Sequence, residues 1–289
     1  PVLQTPVDGA GRIDAASLRR QVDFCAQVGC HGVVYPVLGS EFQFLEDAER
    51  RTMVEEVIAA AAGRIPVVAG VAGPTAASAE QFARHAAGAG ADAVIALPPS
   101  LAPPSREEIL AYYRCIAAAA QVPVFIQHSH AGMDPPLLAS LLRQVAHIQY
   151  VKEEMHPSAH HISALLAQAG PECRGVFGGA HGRWMLSELE RGATGFMPAV
   201  EAADVHVRIW DAYQAGQRQE ARRLFYGLLP LLNLVLIMGL PVCKEVLRRR
   251  GIIASAAMRQ PDVAPLDAHD LTELDQLLAD LQPLLRPWP

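Results

Sequence analysis

The sequence predicts an α/β fold, a closed (β/α)8 TIM barrel followed by a C-terminal helical extension. Three observations carry this expectation. Short apolar runs recur with helical stretches between them over roughly the first 215 residues. Each run is almost continuously apolar, as strands covered on both faces are. After Val200 the alternation stops and only helical patterns follow. Eight runs alternating with helices suit a closed barrel. A doubly wound open sheet is the alternative, but no strand-linked GxGxxG supports a dinucleotide site.

The elements read off in order. "PVLQTPV" (1–7) supplies a first strand. "HGVVYPVLG" (31–39) is the second, followed by the helix "EDAERRTMVEEVIAAAAG". "IPVVAGVAG" (65–73) precedes the helix "AASAEQFARHAAGAG", and "DAVIALPP" (92–99) precedes "SREEILAYYRCIAAAA". In the last of these Ser105 is placed to cap the helix, with Glu108 three residues on completing a capping box. "VPVFIQHSH" (122–130), "IQYVKEE" (148–154), "RGVFGG" (174–179) and "TGFMPAV" (194–200) are strands five to eight. The domain expectation is a catalytic barrel over 1–215 and a helical bundle over 216–289.

Composition narrows the function. The 289 residues are 51% hydrophobic with a formal charge of −6, enough for one large α/β domain or two smaller ones. No basic patch suits nucleic acid. The longest apolar run, "LLPLLNLVLIMGL" (228–240), is interrupted by Pro230, Asn233 and Gly239, and reads as a buried helix shorter than a membrane span. Five scattered cysteines without CxxC spacing suit reduced thiols. No signal peptide is visible. The expected setting is the cytoplasm.

The chain has only two lysines, Lys152 and Lys244, against twenty-two arginines. Arginine stays charged in any protein setting, whereas a lysine amine can lose its proton and attack a carbonyl. On the residues alone two readings of Lys152 stay open: an amine nucleophile, or a lysine that merely suits its pocket. Its position favours chemistry, because barrel active sites lie at the C-terminal strand ends. Lys152 falls near the end of the sixth run, Gln127 the fifth, Gly39 and Ser40 the second, Gly178 and Gly179 the seventh, and Met197 lies in the eighth. Strand alternation puts Glu154 on the face of Lys152 and Glu153 on the other. Apolar surroundings would lower the pKa of the Lys152 amine. "GGAHG" (178–182) reads as a tight turn, with a phosphate cradle as its rival. His128 and His130, with His156 or His181, raise the question of a metal. They are out of phase with Gln127 and lack an adjacent carboxylate cluster, so no metal is expected. Lys244 is expected to brace the helical bundle.

Several segments together resemble the dihydrodipicolinate synthase and N-acetylneuraminate lyase superfamily. They are "TPVDGAGRIDAASLRRQVDF", "GSEFQFLEDAER", "VPVFIQ", "YVKEE", "RGATGFMPA" and "GLPVCKEVLRRRG". The resemblance implies a TIM barrel with a helical C-terminus, a homo-oligomer (tetramer or dimer), and Lys152 as the amine that forms a Schiff base with a 2-keto acid. No separate cofactor is implied.

Departures from the family pattern narrow the expectation. Synthase and sialic-acid lyase members carry Gly-Thr/Ser-Thr-Gly-Glu where this chain has Val37, Leu38, Gly39, Ser40 and Glu41, so the hydroxyl pair is missing. Gln127 stands where they place a proton-shuttling tyrosine. Gln127, "SE" after the second strand, Glu154 and "GRWMLSELERGATGFMPA" look similar to the 2-keto-3-deoxy-L-arabonate dehydratase branch. The expectation is a dehydratase of 2-keto-3-deoxy sugar acids, with Lys152, Glu154 and Gln127 catalytic and Gly39, Ser40, Gly179 and Met197 binding substrate. Glu41 is expected to cap or bridge. A pyruvate-releasing aldolase and a non-catalytic 2-keto acid sensor are the alternatives.

Overall fold

The structure, a computed structural model, describes residues 1–129 and 133–288; His130 lies outside them. The chain forms two compact units, residues 66–197 and residues 1–65 with 198–289.

The second of these begins with α1 (Ala15–Val28), capped by Asp14, whose carboxylate accepts the Ser17 amide, and closed by Gly29 at φ 88°. β1 (Val33–Tyr35) and α2 (Asp47–Ala61) follow, with two short 3-10 turns between them. The opening segment expected as a strand forms only isolated bridges among the described residues: Val2 pairs with Val34 and Ala199 in parallel, and Val7 with Ile13 in antiparallel. The reason is a competing partner. The Gln4 amide donates to Gln21 Oε1 at 2.9 Å, and Gln21 Nε2 donates back to the Gln4 carbonyl at 3.0 Å. This side chain takes the bonds that a neighbouring strand would need.

The 66–197 unit alternates strand and helix throughout. Its elements are β2 (Val67–Gly70), α3 (Ala76–Gly88), β3 (Ala93–Ala96), α4 (Arg106–Ala120) and β4 (Val124–His128). They continue with α5 (Pro135–Gln144), β5 (Ile148–Glu153), α6 (Ser158–Leu166), β6 (Gly175–Gly178), α7 (Met185–Leu189) and β7 (Gly195–Phe196). All pair in parallel and in chain order. The expected strands are thus present but shorter than the apolar runs, whose ends continue into loops. Ser105 caps α4 as the spacing predicts: the Ser105 amide donates to Glu108 Oε2 at 2.7 Å and the Glu108 amide to Ser105 Oγ at 3.2 Å.

Beyond residue 198 come α8 (Ala203–Gln214), α9 (Arg218–Met238), α10 (Leu240–Arg249) and α11 (Ala268–Leu281). The boundary expected at 215/216 falls between α8 and α9. The apolar stretch read as too short for a membrane span is longer than expected. Pro230 does not end the helix, so α9 runs 21 residues with mean hydropathy 1.4 over its most apolar window, enough by length and composition to cross a bilayer. It is nonetheless built as a packed amphipathic helix: Leu224, Phe225, Leu228, Leu231, Leu232 and Val235 recur at three- and four-residue spacing and are buried. They face α8, α10 and α11. Its other side leaves Tyr226, Leu236 and Ile237 exposed, so the stretch is half-buried and not buried throughout.

All five cysteines are free thiols. In the same unit Arg250 grips Asp204 through two bonds, at 3.0 and 2.7 Å, with both side chains, though not the whole of Arg250, buried. Glu201 nearby is wholly buried, and neither of its oxygens accepts a conventional hydrogen bond from the described residues. Burial pushes its pKa from an ordinary 4.5 to about 7, although the Cys243 thiol and Arg250 favour ionisation. Its folded pKa lies above its unfolded one, so between those values the unfolded chain ionises first and stability falls as pH rises. At about 1.4 kcal/mol per tenfold, the fall reaches roughly 3 kcal/mol. Urea unfolding of Glu201→Gln should lose this part of the decline between pH 4.5 and 8; parallel curves for parent and variant would contradict the assignment.

Candidate active site

The site grows out of the register of three neighbouring strands. β5 bulges: Val124 pairs with Ile148 but Phe125 with Tyr150, so Gln149 is the extra residue. That single insertion sets Gln127 beside Lys152, whose other lateral neighbour is Phe177 on β6. Two residues earlier on the same face lie Phe125 and Tyr150, stacked at 4.4 Å, with Phe177 edge-on at 5.2 Å from Phe125. Lys152 therefore rises from an aromatic floor and is only 3% exposed.

Glu154 follows β5, its amide donating to the His128 carbonyl at 2.8 Å. Its carboxylate collects three partners. Lys152 Nζ lies 3.2 Å from Oε1, the Ala180 N–H donates to Oε1 at 3.1 Å, and Gln127 Nε2 donates to Oε2 at 2.7 Å. Burial alone would raise the Glu154 pKa; the Lys152 charge, then the Ala180 and Gln127 hydrogen bonds, outweigh it and hold the carboxyl below the ordinary carboxylate range. At neutral pH it is an ionised acceptor beside an amine. A carboxylate so placed can take a proton from Lys152 or from a carbon bound to it.

Room for this carboxylate comes from Gly179. A Cβ there would lie 2.3 Å from Glu154 Oε1 and 2.4 Å from its Cγ. Gly178, facing the other way, is filled in the same manner by Glu188, whose Oε2 would meet a Cβ at 2.1 Å. Glu188 is buried and accepts from Ser158; burial, with Glu153 and Glu154 adding repulsion, raises its pKa to about 7.

Of the residues singled out from sequence, Gln127, Lys152, Glu154 and Gly179 thus come together. Met197 is buried in the same unit, its amide donating to the Gly178 carbonyl at 2.9 Å. Gly39 and Ser40 belong to the unit of residues 1–65 and 198–289, in a 3-10 turn (Leu38–Ser40). There the Ser40 hydroxyl donates to the Leu3 carbonyl at 2.6 Å and accepts the Val37 amide at 3.2 Å. Glu41 accepts the Arg259 and Gln260 amides and is paired with Lys244, which also donates to the Ala257 carbonyl at 2.9 Å. The second lysine is therefore a buried brace. "GGAHG" turns through a 3-10 helix (Ala180–Gly182), and its Ala180 amide is spent on Glu154. Sequence reading missed that amide. Consecutive glycines signal a close approach, but not which group approaches.

Comparison with known proteins gives a consistent result. The Dihydrodipicolinate synthetase family matches residues 1–281. An L-2-keto-3-deoxyarabonate dehydratase from Azospirillum brasilense is 28% identical over 295 residues, covering 100% of this chain and 95% of that protein. A 4-hydroxy-tetrahydrodipicolinate synthase from Methanosarcina acetivorans is also 28% identical, over 96% of this chain and 97% of its own. The crystal structure of dihydrodipicolinate synthase from Rhodopseudomonas palustris superposes with a TM-score of 0.88 at 31% identity, covering 97% of this chain and 96% of that one.

The contact between Gly179 and Glu154 can be measured. Gly179→Ala forces a methyl into the carboxylate and should destabilise by about 1–3 kcal/mol. In a Glu154→Ala background most of that loss should vanish, giving a coupling energy above roughly 0.5 kcal/mol in a double-mutant cycle. Additive losses would show that the glycine serves something other than Glu154.

Proposed function

Because the chain belongs to the dihydrodipicolinate synthetase family, we propose that it is a Schiff-base lyase of 2-keto-3-deoxy sugar acids, and a dehydratase. The fold that goes with this proposal is a closed (β/α)8 barrel with a C-terminal helical extension. The parallel strand-helix alternation, the pairing of Val2 and the likeness to the Rhodopseudomonas palustris enzyme support it. The observation that carries the functional reading is the ionised Glu154, 3.2 Å from the Lys152 amine and held by Gln127.

In the proposed reaction Glu154 accepts the Lys152 proton as substrate arrives, and the neutral amine attacks the C2 ketone. Water leaves and an iminium forms, with no other cofactor. The iminium acidifies C3–H, and Glu154 takes that proton after passing the first to the departing water. Electrons of the enamine then expel the C4 hydroxyl, which leaves as water after protonation. Hydrolysis of the iminium releases the product and restores Lys152. Gln127 orients Glu154 and offers an amide to the substrate, but cannot titrate. That absence of a shuttle disfavours aldol cleavage, which must move a proton at the substrate hydroxyl. Gly39, Ser40, Gly179 and Met197 stand in the proposal as substrate-binding residues. A cytoplasmic homo-oligomer taking small 2-keto acids completes the reading. The synthase relative, equal in identity to the dehydratase, keeps a pyruvate-releasing aldolase as the second reading.

Turnover of a panel of 2-keto-3-deoxy acids, with product analysis, tests the proposal. Water loss without pyruvate release is expected, with negligible condensation of pyruvate and aspartate semialdehyde. Borohydride with substrate should add mass to the peptide carrying Lys152, and Lys152→Arg should stay folded yet be neither labelled nor active. Labelling that survives in Lys152→Arg would end the Schiff-base reading; pyruvate as the product would select the aldolase.

A further inference from the structure

The strand face opposite Lys152 carries a second constellation. His128 and Glu153 are register partners on β4 and β5, both fully buried, with His128 Nδ1 2.8 Å from Glu153 Oε2. From α6, His161 brings its Nδ1 to 3.9 Å from Glu153 Oε1, and the two imidazole rings stand 6.0 Å apart. One donor atom from each of the three residues lies within 4.8 Å of the others. Glu153 lies 25 residues from His128 along the chain, and strand pairing makes it the carboxylate neighbour that the local sequence lacks.

Two further atoms lack something to bind. His161 Nδ1 is buried without a hydrogen-bond partner among the described residues. So is Glu188 Oε2, on a side chain only 1% exposed. Glu188 fills the space against Gly178, and Gly178 is the register partner of Glu153 on β6. His128 on β4, Glu153 on β5 and Glu188, reaching from α7 over Gly178 of β6, thus form one buried row, and His161 closes it from α6.

We propose that this row is a binding site for a divalent metal ion, held by His128, Glu153 and His161 with Glu188 alongside. Two imidazoles and a carboxylate suit ions of the zinc, cobalt and nickel class better than calcium or magnesium, which prefer all-oxygen shells. Metal–ligand bonds of about 2.0–2.2 Å require donors to draw in by roughly 1 Å from their present spread. Side-chain rotation of His161 supplies most of that movement, and as the partly exposed member (29% of its side chain) it provides the entry path. A bound ion would tie α6 to β4 and β5 directly behind Lys152 and Glu154. Its role is to stiffen the strands that position the site, and the chemistry at Lys152 does not pass through it.

The test titrates chelator-stripped protein with Zn2+ and Co2+. One equivalent should bind, Co2+ should give visible absorption bands of a nitrogen-ligated ion, and Zn2+ should raise the unfolding midpoint. His161→Ala, or His161→Gln if the first folds poorly, should weaken binding by on the order of 10²-fold or more and abolish the midpoint rise. His156→Ala, at an exposed neighbouring histidine, should leave both unchanged. Absence of stoichiometric binding, or binding that persists in His161→Ala, overturns the proposal in favour of a metal-free His128–Glu153 hydrogen bond. Borohydride trapping at Lys152 should persist in His161→Ala, so failure of the metal site and failure of the Schiff-base reading remain distinguishable.

Discussion

A carboxylate stays ionised in a water-poor site only when opposite charge and hydrogen-bond donors replace the water it has lost. Glu154 meets that condition through Lys152, the Ala180 amide and the Gln127 side chain. The surrounding structure supplies each of these. The bulge at Gln149 brings Gln127 level with Lys152. The turn after β6 aims the Ala180 amide, and Gly179 leaves the volume that the carboxylate fills. A one-residue slip in the β4–β5 register would set Val151 beside Gln127 and leave the carboxylate short of a donor.

The two lysines stand in different surroundings, one as a brace and the other as an amine that a carbonyl could reach. Lys244 is fully buried against Glu41 and the Ala257 carbonyl, and Glu41 is in turn bonded to the 259–260 backbone. Burial lowers the Lys244 pKa while Glu41 opposes it. Every direction around that ammonium leads to protein. Lys152 shares the Glu154 carboxylate with two other donors and rests on aromatic rings. An incoming carbonyl could replace the ion pair without stranding a buried charge, since Glu154 keeps the Ala180 and Gln127 donors.

Much of this was legible in the sequence. Strands covered on both faces advertise themselves as apolar runs, the capping box at Ser105 is local, and a lysine retained among twenty-two arginines marks itself. Alternation along one strand placed Glu154 with Lys152 and Glu153 behind them. What remained hidden depends on contacts between segments distant in sequence. Gln21 competes for the Gln4 backbone, and no local pattern announces it. The bulge changes which residues face each other without altering the apolar run that contains it. Pro230 looks like a helix terminator, yet α9 continues because its packed face more than offsets the one backbone bond that proline removes. His128 and Glu153 meet only through strand register.

Transfer of the C3 proton from a substrate on Lys152 to Glu154 is the step on which the proposed reaction turns. Its most direct test follows exchange of C3 hydrogen with deuterated water in Glu154→Gln, which keeps the size and hydrogen bonding of the side chain but removes the proton acceptor. Exchange and turnover should fall together, by on the order of 10²–10⁴, while borohydride still captures substrate on Lys152. Exchange near the parent rate would place the base elsewhere and contradict the account.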